Sequence, residues 1–170
     1  MAMTRQTRRK RLLVLGLLLG ALLTGCSSGA GSDETANHAV HTAPNGDLRE
    51  VTASIDDLPS FLRDKPEPIQ ETYRLAGQHA DVLKWIPCTC GCGPSAGHRS
   101  NRDCFIHEIR PDGSVVWDDH ATRCDICLRI AAEAAHMAES GKSVREIRQH
   151  IDATYGKYGP PTPTPQPPAS

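Results

Sequence analysis

Cys88, Cys90 and Cys92 occupy every second position of the segment Trp85-Ile86-Pro87-Cys88-Thr89-Cys90-Gly91-Cys92-Gly93. In extended backbone alternate side chains share a face. Three sulfurs would then point one way, about 6.6 Å apart per step at roughly 3.3 Å per residue. Gly91 and Gly93 let the chain curl and draw them closer. Cys124 and Cys127 stand three apart in a helical stretch and so share a face of their own. Cys104 lies between the two groups. A fold that turned all six sulfurs inward would make a soft ligand set of high denticity. His98, His107 and His120 fall in the same stretch as candidates for extra nitrogen ligands or for hydrogen bonds to the ligands. His120 leads them, one turn before Cys124.

Three chemistries compete for these thiols. Soft thiolates favour Cu(I), zinc and iron–sulfur clusters. Six exceed the four that one tetrahedral ion takes, which puts a polynuclear Cu(I)–thiolate cluster first. Zinc is second, on Cys90, Cys92, Cys124 and Cys127. Iron–sulfur spacings are missing, and Leu128 stands where haem attachment needs a histidine. The alternative is a disulfide-stabilised surface module without metal, because six is an even number and an exported domain meets oxidising conditions. A Cys-x-Cys bridge closes a small, strained ring, so Cys88, Cys90 and Cys92 would need Cys104, Cys124 and Cys127 as separate partners, a crowded arrangement for disulfide geometry. The third chemistry is thiol–disulfide exchange at Cys124-Asp125-Ile126-Cys127. That wants the pair at a helix start beside a βαβ unit, whereas the pattern sets it inside a helix. No nucleophile–base set, phosphate loop or carboxylate pair stands out, so a binding protein is expected rather than an enzyme.

The elements that would position these residues read as mainly α: a small single helical domain with one short β-hairpin and a Cys-rich loop, flanked by disordered tails. Pro68 suits the first turn of a helix in which Ile69, Thr72, Leu75, Ala76 and His79 recur at helical spacing. A shorter helix is expected from about Ser54 to Leu62. Asp118 or Asp119 is expected to cap a long helix carrying Cys124, Cys127, Leu128, Ala131, Ala134, Ala135 and Ala138, with Gly141 ending it. Ser143-Val144-Arg145-Glu146 reads as a capping box opening a last helix through about Tyr155. Between the first helix and the long one, Cys104-to-Ile109 and Ser114-to-Trp117 flank Arg110-Pro111-Asp112-Gly113, a hairpin signal.

The chain begins with Arg5, Arg8, Arg9, Lys10 and Arg11, then an apolar run from Leu12 to Leu23. That run is too short to span about 30 Å of hydrocarbon at about 1.5 Å per residue, and it reads as a signal peptide, residues 1–25. Leu23-Thr24-Gly25-Cys26 resembles a bacterial lipobox, in which the cysteine is acylated and becomes the mature N-terminus. Residues 26–50 read as a flexible tether, 51–158 as the Cys-rich domain, and 159–170 as a Pro-rich disordered tail. Solvated linker histidines are expected at His38 and His41. Without its five leading basic residues the chain carries 14 basic and 20 acidic residues, a net of −6. That balance argues against nucleic-acid binding. The expected partners are the lipid bilayer, through acylated Cys26, and an unidentified metal donor or acceptor protein. The expected location is extracytoplasmic, on the bacterial membrane.

Pro87, Cys88, Cys90, Gly91, Cys92 and Gly93, followed by His98, Cys104-Phe105, His120-Ala121, Cys124-x-x-Cys127, Gly141 and the Ile147-to-Tyr155 helix, resemble a bacterial lipoprotein family named for its Pro-Cys-Tyr-Cys-Gly-Cys (PCYCGC) motif. Thr89 stands where the family has Tyr. It alternates with the cysteines, so its side chain should face away from them and affect only local packing. The resemblance implies a lipoprotein outside the cytoplasm; the metal reading rests on the cysteines.

Overall fold

The computed structural model describes residues 39–168. Cys26, His38 and the signal-peptide stretch lie outside the described residues. In chain order the elements are β1 (Val40–Thr42), β2 (Leu48–Thr52), α1 (Glu67–Gln78), α2 (Ala80–Leu83), α3 (Cys92–Ala96), β3 (Ile106–Ile109), β4 (Val115–Asp118), α4 (Asp125–Glu139) and α5 (Val144–Tyr155). Short 3-10 turns stand at Ser60–Leu62, Arg102–Cys104 and His120–Arg123.

The strands form one antiparallel sheet in the order β1-β2-β4-β3. The fold is therefore α+β, and the mainly α expectation with a single hairpin is corrected. The expected hairpin is present as β3–β4, with a bulge between Ile106 and Glu108. Missing from the sequence reading was a second hairpin, β1–β2, in the stretch assigned to the tether. Its inward positions are polar. Glu50 is fully buried and accepts from Ser60 N at 2.7 Å and Ser60 Oγ at 2.8 Å. Buried Thr52 accepts from Trp117 Nε1 at 2.8 Å. Hydrogen bonds there replace the apolar alternation that marks a half-buried strand. Glu50 also disposes of the expected Ser54-to-Leu62 helix, because its carboxylate takes the N–H groups that start the 3-10 turn at Ser60.

Two helices match their sequence signals closely. In α1 the prolines sit in the opening turn, and Thr72, Tyr73, Leu75 and Ala76 are buried. In α5 the Ser143–Glu146 capping box is complete. The long helix starts later than expected. Asp118 ends β4, where its carboxylate accepts from His120 N at 3.0 Å and pairs with Arg49 at 2.9 Å. Asp119 accepts from Leu48 N at 2.7 Å. Both caps are thus spent on the central strand β2, and α4 opens only after Cys124.

Trp117, Tyr73, Phe105, Leu62, Leu83, Ile86, Ile130, Ile147 and Ile151 make up the core. α4 packs against α1, α2 and α5 through Ile130, Ala131, Ala134 and Ala135. The alanines keep this stripe thin, so neighbouring elements approach closely. The C-terminal segment has no regular secondary structure, but the expected disordered tail is also corrected. Thr162 and Thr164 are buried, with Thr162 N donating to Cys88 O at 2.8 Å and Cys88 N to Thr162 Oγ1 at 3.0 Å. Among the described residues no helix is long and apolar enough to cross a membrane.

Candidate metal centre

Pro87 to Thr89 form neither helix nor strand, and the chain bends at Cys90. Gly91, at φ 91°, turns the chain into α3, whose first residue is Cys92. Left-handed backbone of this kind favours glycine, and here it folds Cys92 back beside the earlier thiols. The 3-10 turn before β3 presents Cys104, and the N-terminus of α4 presents Cys124 and Cys127. Asn101, fully buried, joins these pieces: its N–H donates to Ile86 O at 2.7 Å and its Nδ2 to Cys127 O at 3.2 Å.

All six cysteines expected at the site converge, and none is in a disulfide. Cys88 Sγ lies 3.4 Å from Cys90 Sγ and 3.3 Å from Cys127 Sγ; Cys90 and Cys127 are 3.5 Å apart, and Cys92 and Cys104 are 3.7 Å apart. The sulfurs of Cys88, Cys92, Cys104 and Cys127 all lie within 4.8 Å of one another. These four residues are buried, whereas Cys90 and Cys124 are partly exposed. Cys124 stands beside Cys90 and Cys127 on that rim.

Ionisation is uneven. Hydrogen bonds from Cys124, then Cys127 and Cys88, hold the Cys90 thiol far below the usual thiol range. Burial opposes ionisation of Cys104, but hydrogen bonds from Cys127, Cys88, Cys92 and His98 hold it low. The bond to Cys104 pushes Cys88 and Cys127 up.

Of the three candidate histidines the site takes two. His98 is buried, with Nδ1 3.4 Å from Cys104 Sγ and Nε2 without a partner. A ligand atom of His120 lies within 4.8 Å of those of Cys90, Cys92 and Cys127. The hydrogen bond to Cys90, with the charges of Cys104 and Asp47 behind it, pushes His120 up to about 9 against the effect of burial. The two rings meet edge to face at 4.6 Å. His107 does not join them. It points outward from β3, 3.3 Å from the Arg49 guanidinium. Thr89 turns away from the sulfurs and donates to Tyr155 O at 3.0 Å.

Asp47 escaped the sequence reading. It is buried, lies 3.1 Å from His120 Nδ1, accepts from Asn45 Nδ2 at 2.6 Å and pairs with Arg123. Its signal was Asn45-Gly46, the dipeptide of a tight hairpin turn; Gly46 has φ 86°. The position of Cys124-x-x-Cys127 is a further correction: the pair opens α4 instead of lying inside it, with Cys124 as the N-cap residue.

The arrangement could hold a metal ion on cysteine clusters. No curated protein and no solved structure matches the chain. A family model matches residues 15–167, a span that takes in the domain and most of the Pro-rich segment seated on it. The chain belongs to the family described as "Protein of unknown function with PCYCGC motif".

Proposed function

We propose that this chain is a membrane-anchored, extracytoplasmic lipoprotein whose six-cysteine cluster sequesters or hands on a thiophilic metal ion, Cu(I) first and Zn(II) second, without catalysing a reaction. The observation that carries this is the triangle of Cys88, Cys90 and Cys127, with sides of 3.3 to 3.5 Å. A disulfide joins each sulfur to one partner at about 2.05 Å, and a triangle cannot be divided into pairs. Sulfurs around one tetrahedral ion with bonds of about 2.3 Å stand about 3.8 Å apart, close to the spacing seen here. Cu(I) stands first because soft thiolates select it and six thiols exceed one zinc ion's complement. Anchoring rests on the basic and apolar leader that ends at Cys26.

The test is anaerobic titration of the reduced full chain with Cu(I) and, separately, with Zn(II), followed by desalting and elemental analysis. Tightly bound metal is expected. Retention of neither ion would overturn the reading. For the anchor, Cys26→Ser is expected to move the protein out of the membrane fraction; unchanged fractionation of the cleaved variant would refute it. The helix-start position of Cys124-x-x-Cys127 favours thiol–disulfide exchange as a second reading. Against it, the sheet is wholly antiparallel, without the βαβ setting of that chemistry. No insulin reduction is expected; turnover that disappears in Cys124→Ser would reverse the order of the two.

A further inference from the structure

The ligand atoms near the cluster fall into two sets of four. One is Cys88, Cys92, Cys104 and Cys127; the other is Cys90, Cys92, His120 and Cys127. Within each set every ligand atom lies within 4.8 Å of the others. Ligands around one tetrahedral ion with bonds of about 2.3 Å stand about 3.8 Å apart, so each set needs to contract by no more than about 1 Å to close on one ion. The sets overlap in two residues, Cys92 and Cys127. Two tetrahedra that share an edge have six corners, and the two sets together supply six ligand atoms; the sulfurs of Cys88 and Cys90, 3.4 Å apart here, must part to about 5 Å or more to serve different ions.

Resting on the metal reading, we infer a two-ion centre in which the thiolates of Cys92 and Cys127 bridge an inner ion to an outer one, and the outer ion is the one exchanged with the surroundings. The inner ion has Cys88 and Cys104 as its terminal ligands, and all four of its cysteines are at most 1% exposed. Its charge and its protein wall hold it in place. The outer ion has Cys90 and His120 as terminal ligands, and both are partly exposed. Its ligand set trades one thiolate for an imidazole, a weaker hold on a soft ion.

The surroundings of His120 fit this role. Asp47 lies 3.1 Å from Nδ1, which leaves Nε2 for the metal. A carboxylate behind a ligating imidazole fixes its tautomer and direction. Asp47 is itself held by Asn45 and Arg123, so the imidazole has little freedom to turn away. His98 does something different. Its Nδ1 faces Cys104, a terminal thiolate of the inner ion, and a hydrogen bond there would temper that sulfur's charge without adding a ligand. Cys124 belongs to neither set. It stands on the rim beside Cys90, where an arriving or departing ion can be held while it changes partners.

The test is metal counting and release on the reduced full chain under anaerobic conditions, with Co(II) as a spectroscopic stand-in for Zn(II) and with Cu(I) in parallel. Two ions per chain are expected. The electron paramagnetic signal per cobalt should fall as the second ion enters, because bridging thiolates couple the pair. A chelator should remove one ion at least ten times faster than the other. His120→Ala should bind a single ion, and Asp47→Asn should weaken only the faster-released ion, by about 10- to 100-fold. The Asp47 variant keeps every metal ligand, so it carries the test if His120→Ala fails to fold. His107→Ala should still bind two. Saturation at one ion, an undiminished cobalt signal at two, equal release of both ions, or two undisturbed ions in Asp47→Asn would each overturn the two-ion inference while leaving the metal reading standing. Binding of neither metal by the wild type would remove the reading beneath it.

Discussion

Cys127, in the first turn of α4, lies 3.3 Å from Cys88 and 3.5 Å from Cys90 and belongs to both four-ligand sets. A thiol placed like this can serve several ligand sets, which is why removing its neighbours should matter more with metal than without. Cys90→Ser/Cys92→Ser deletes two thiolates and is expected to lower both metal content and the melting temperature of the loaded protein. A ligand at 100 to 1,000 times its Kd stabilises by about 2.7–4.1 kcal/mol, and most of that margin should vanish. The metal-free protein should change far less. Equal losses with and without metal, measured by thermal melts, would point to structural thiols instead. All six cysteines, with His98 and His120, could be found in the sequence because they crowd together there. Asp47 could not be found that way: it reaches His120 across 73 residues through a hairpin whose strands carry inward polar groups.

At the scale of the element, local signals were faithful where an element needs only itself. The α5 capping box has both of its reciprocal bonds, Glu146 N to Ser143 Oγ at 3.3 Å and Ser143 N to Glu146 Oε2 at 2.9 Å. Ser143→Ala is expected to cost about 1 kcal/mol, read from denaturant midpoints. The box also gives a pH dependence. The backbone N–H and the hydroxyl of Ser143, with Lys142 nearby, hold the Glu146 carboxyl below its ordinary 4.5. A depressed carboxyl contributes stability that is present above its unfolded value and is lost as pH falls through the folded one. The wild type should therefore lose stability relative to Glu146→Gln as pH drops below about 4.5. Parallel curves for the two proteins across that window would refute the assignment. Where an element depends on the sheet, the local signal misled. Asp118 and Asp119 look like helix caps but are bound to Arg49 and Leu48 N. That displacement places Cys124 at the N-cap of α4, on the rim of the cluster.

Across the whole molecule, the C-terminal segment closes over the Cys-rich loop. The alternation of Pro and Thr in Pro161-Thr162-Pro163-Thr164-Pro165 looked like a disordered tail, yet it has the period of a strand edge. The threonines face inward and supply the N–H and hydroxyl groups that proline lacks. Thr162 takes both backbone groups of Cys88, and Thr164 Oγ1 donates to Arg99 O at 2.6 Å. Arg148, on α5, donates to the carbonyls of Trp85 and Pro165 at 3.1 Å each, and so ties the segment to the entry of the loop. Ending the chain after Tyr158 would leave the Cys88 amide and carbonyl unpaired beside the thiols. At about 0.5–1.5 kcal/mol per hydrogen bond, the loss of these bonds should lower stability by about 2 kcal/mol or more. Because the freed loop carries three of the six sulfurs, loaded protein should also surrender metal to a chelator faster than the intact chain. Gly159→Ala gives a finer form of the same test. A Cβ there would lie 2.8 Å from Thr89 O, a backbone atom that cannot rotate away, so the segment must lift. Its effect should have the same direction as truncation and a smaller size. If both variants keep wild-type stability and release rates, the segment merely rests on the loop and does not hold the thiols in place.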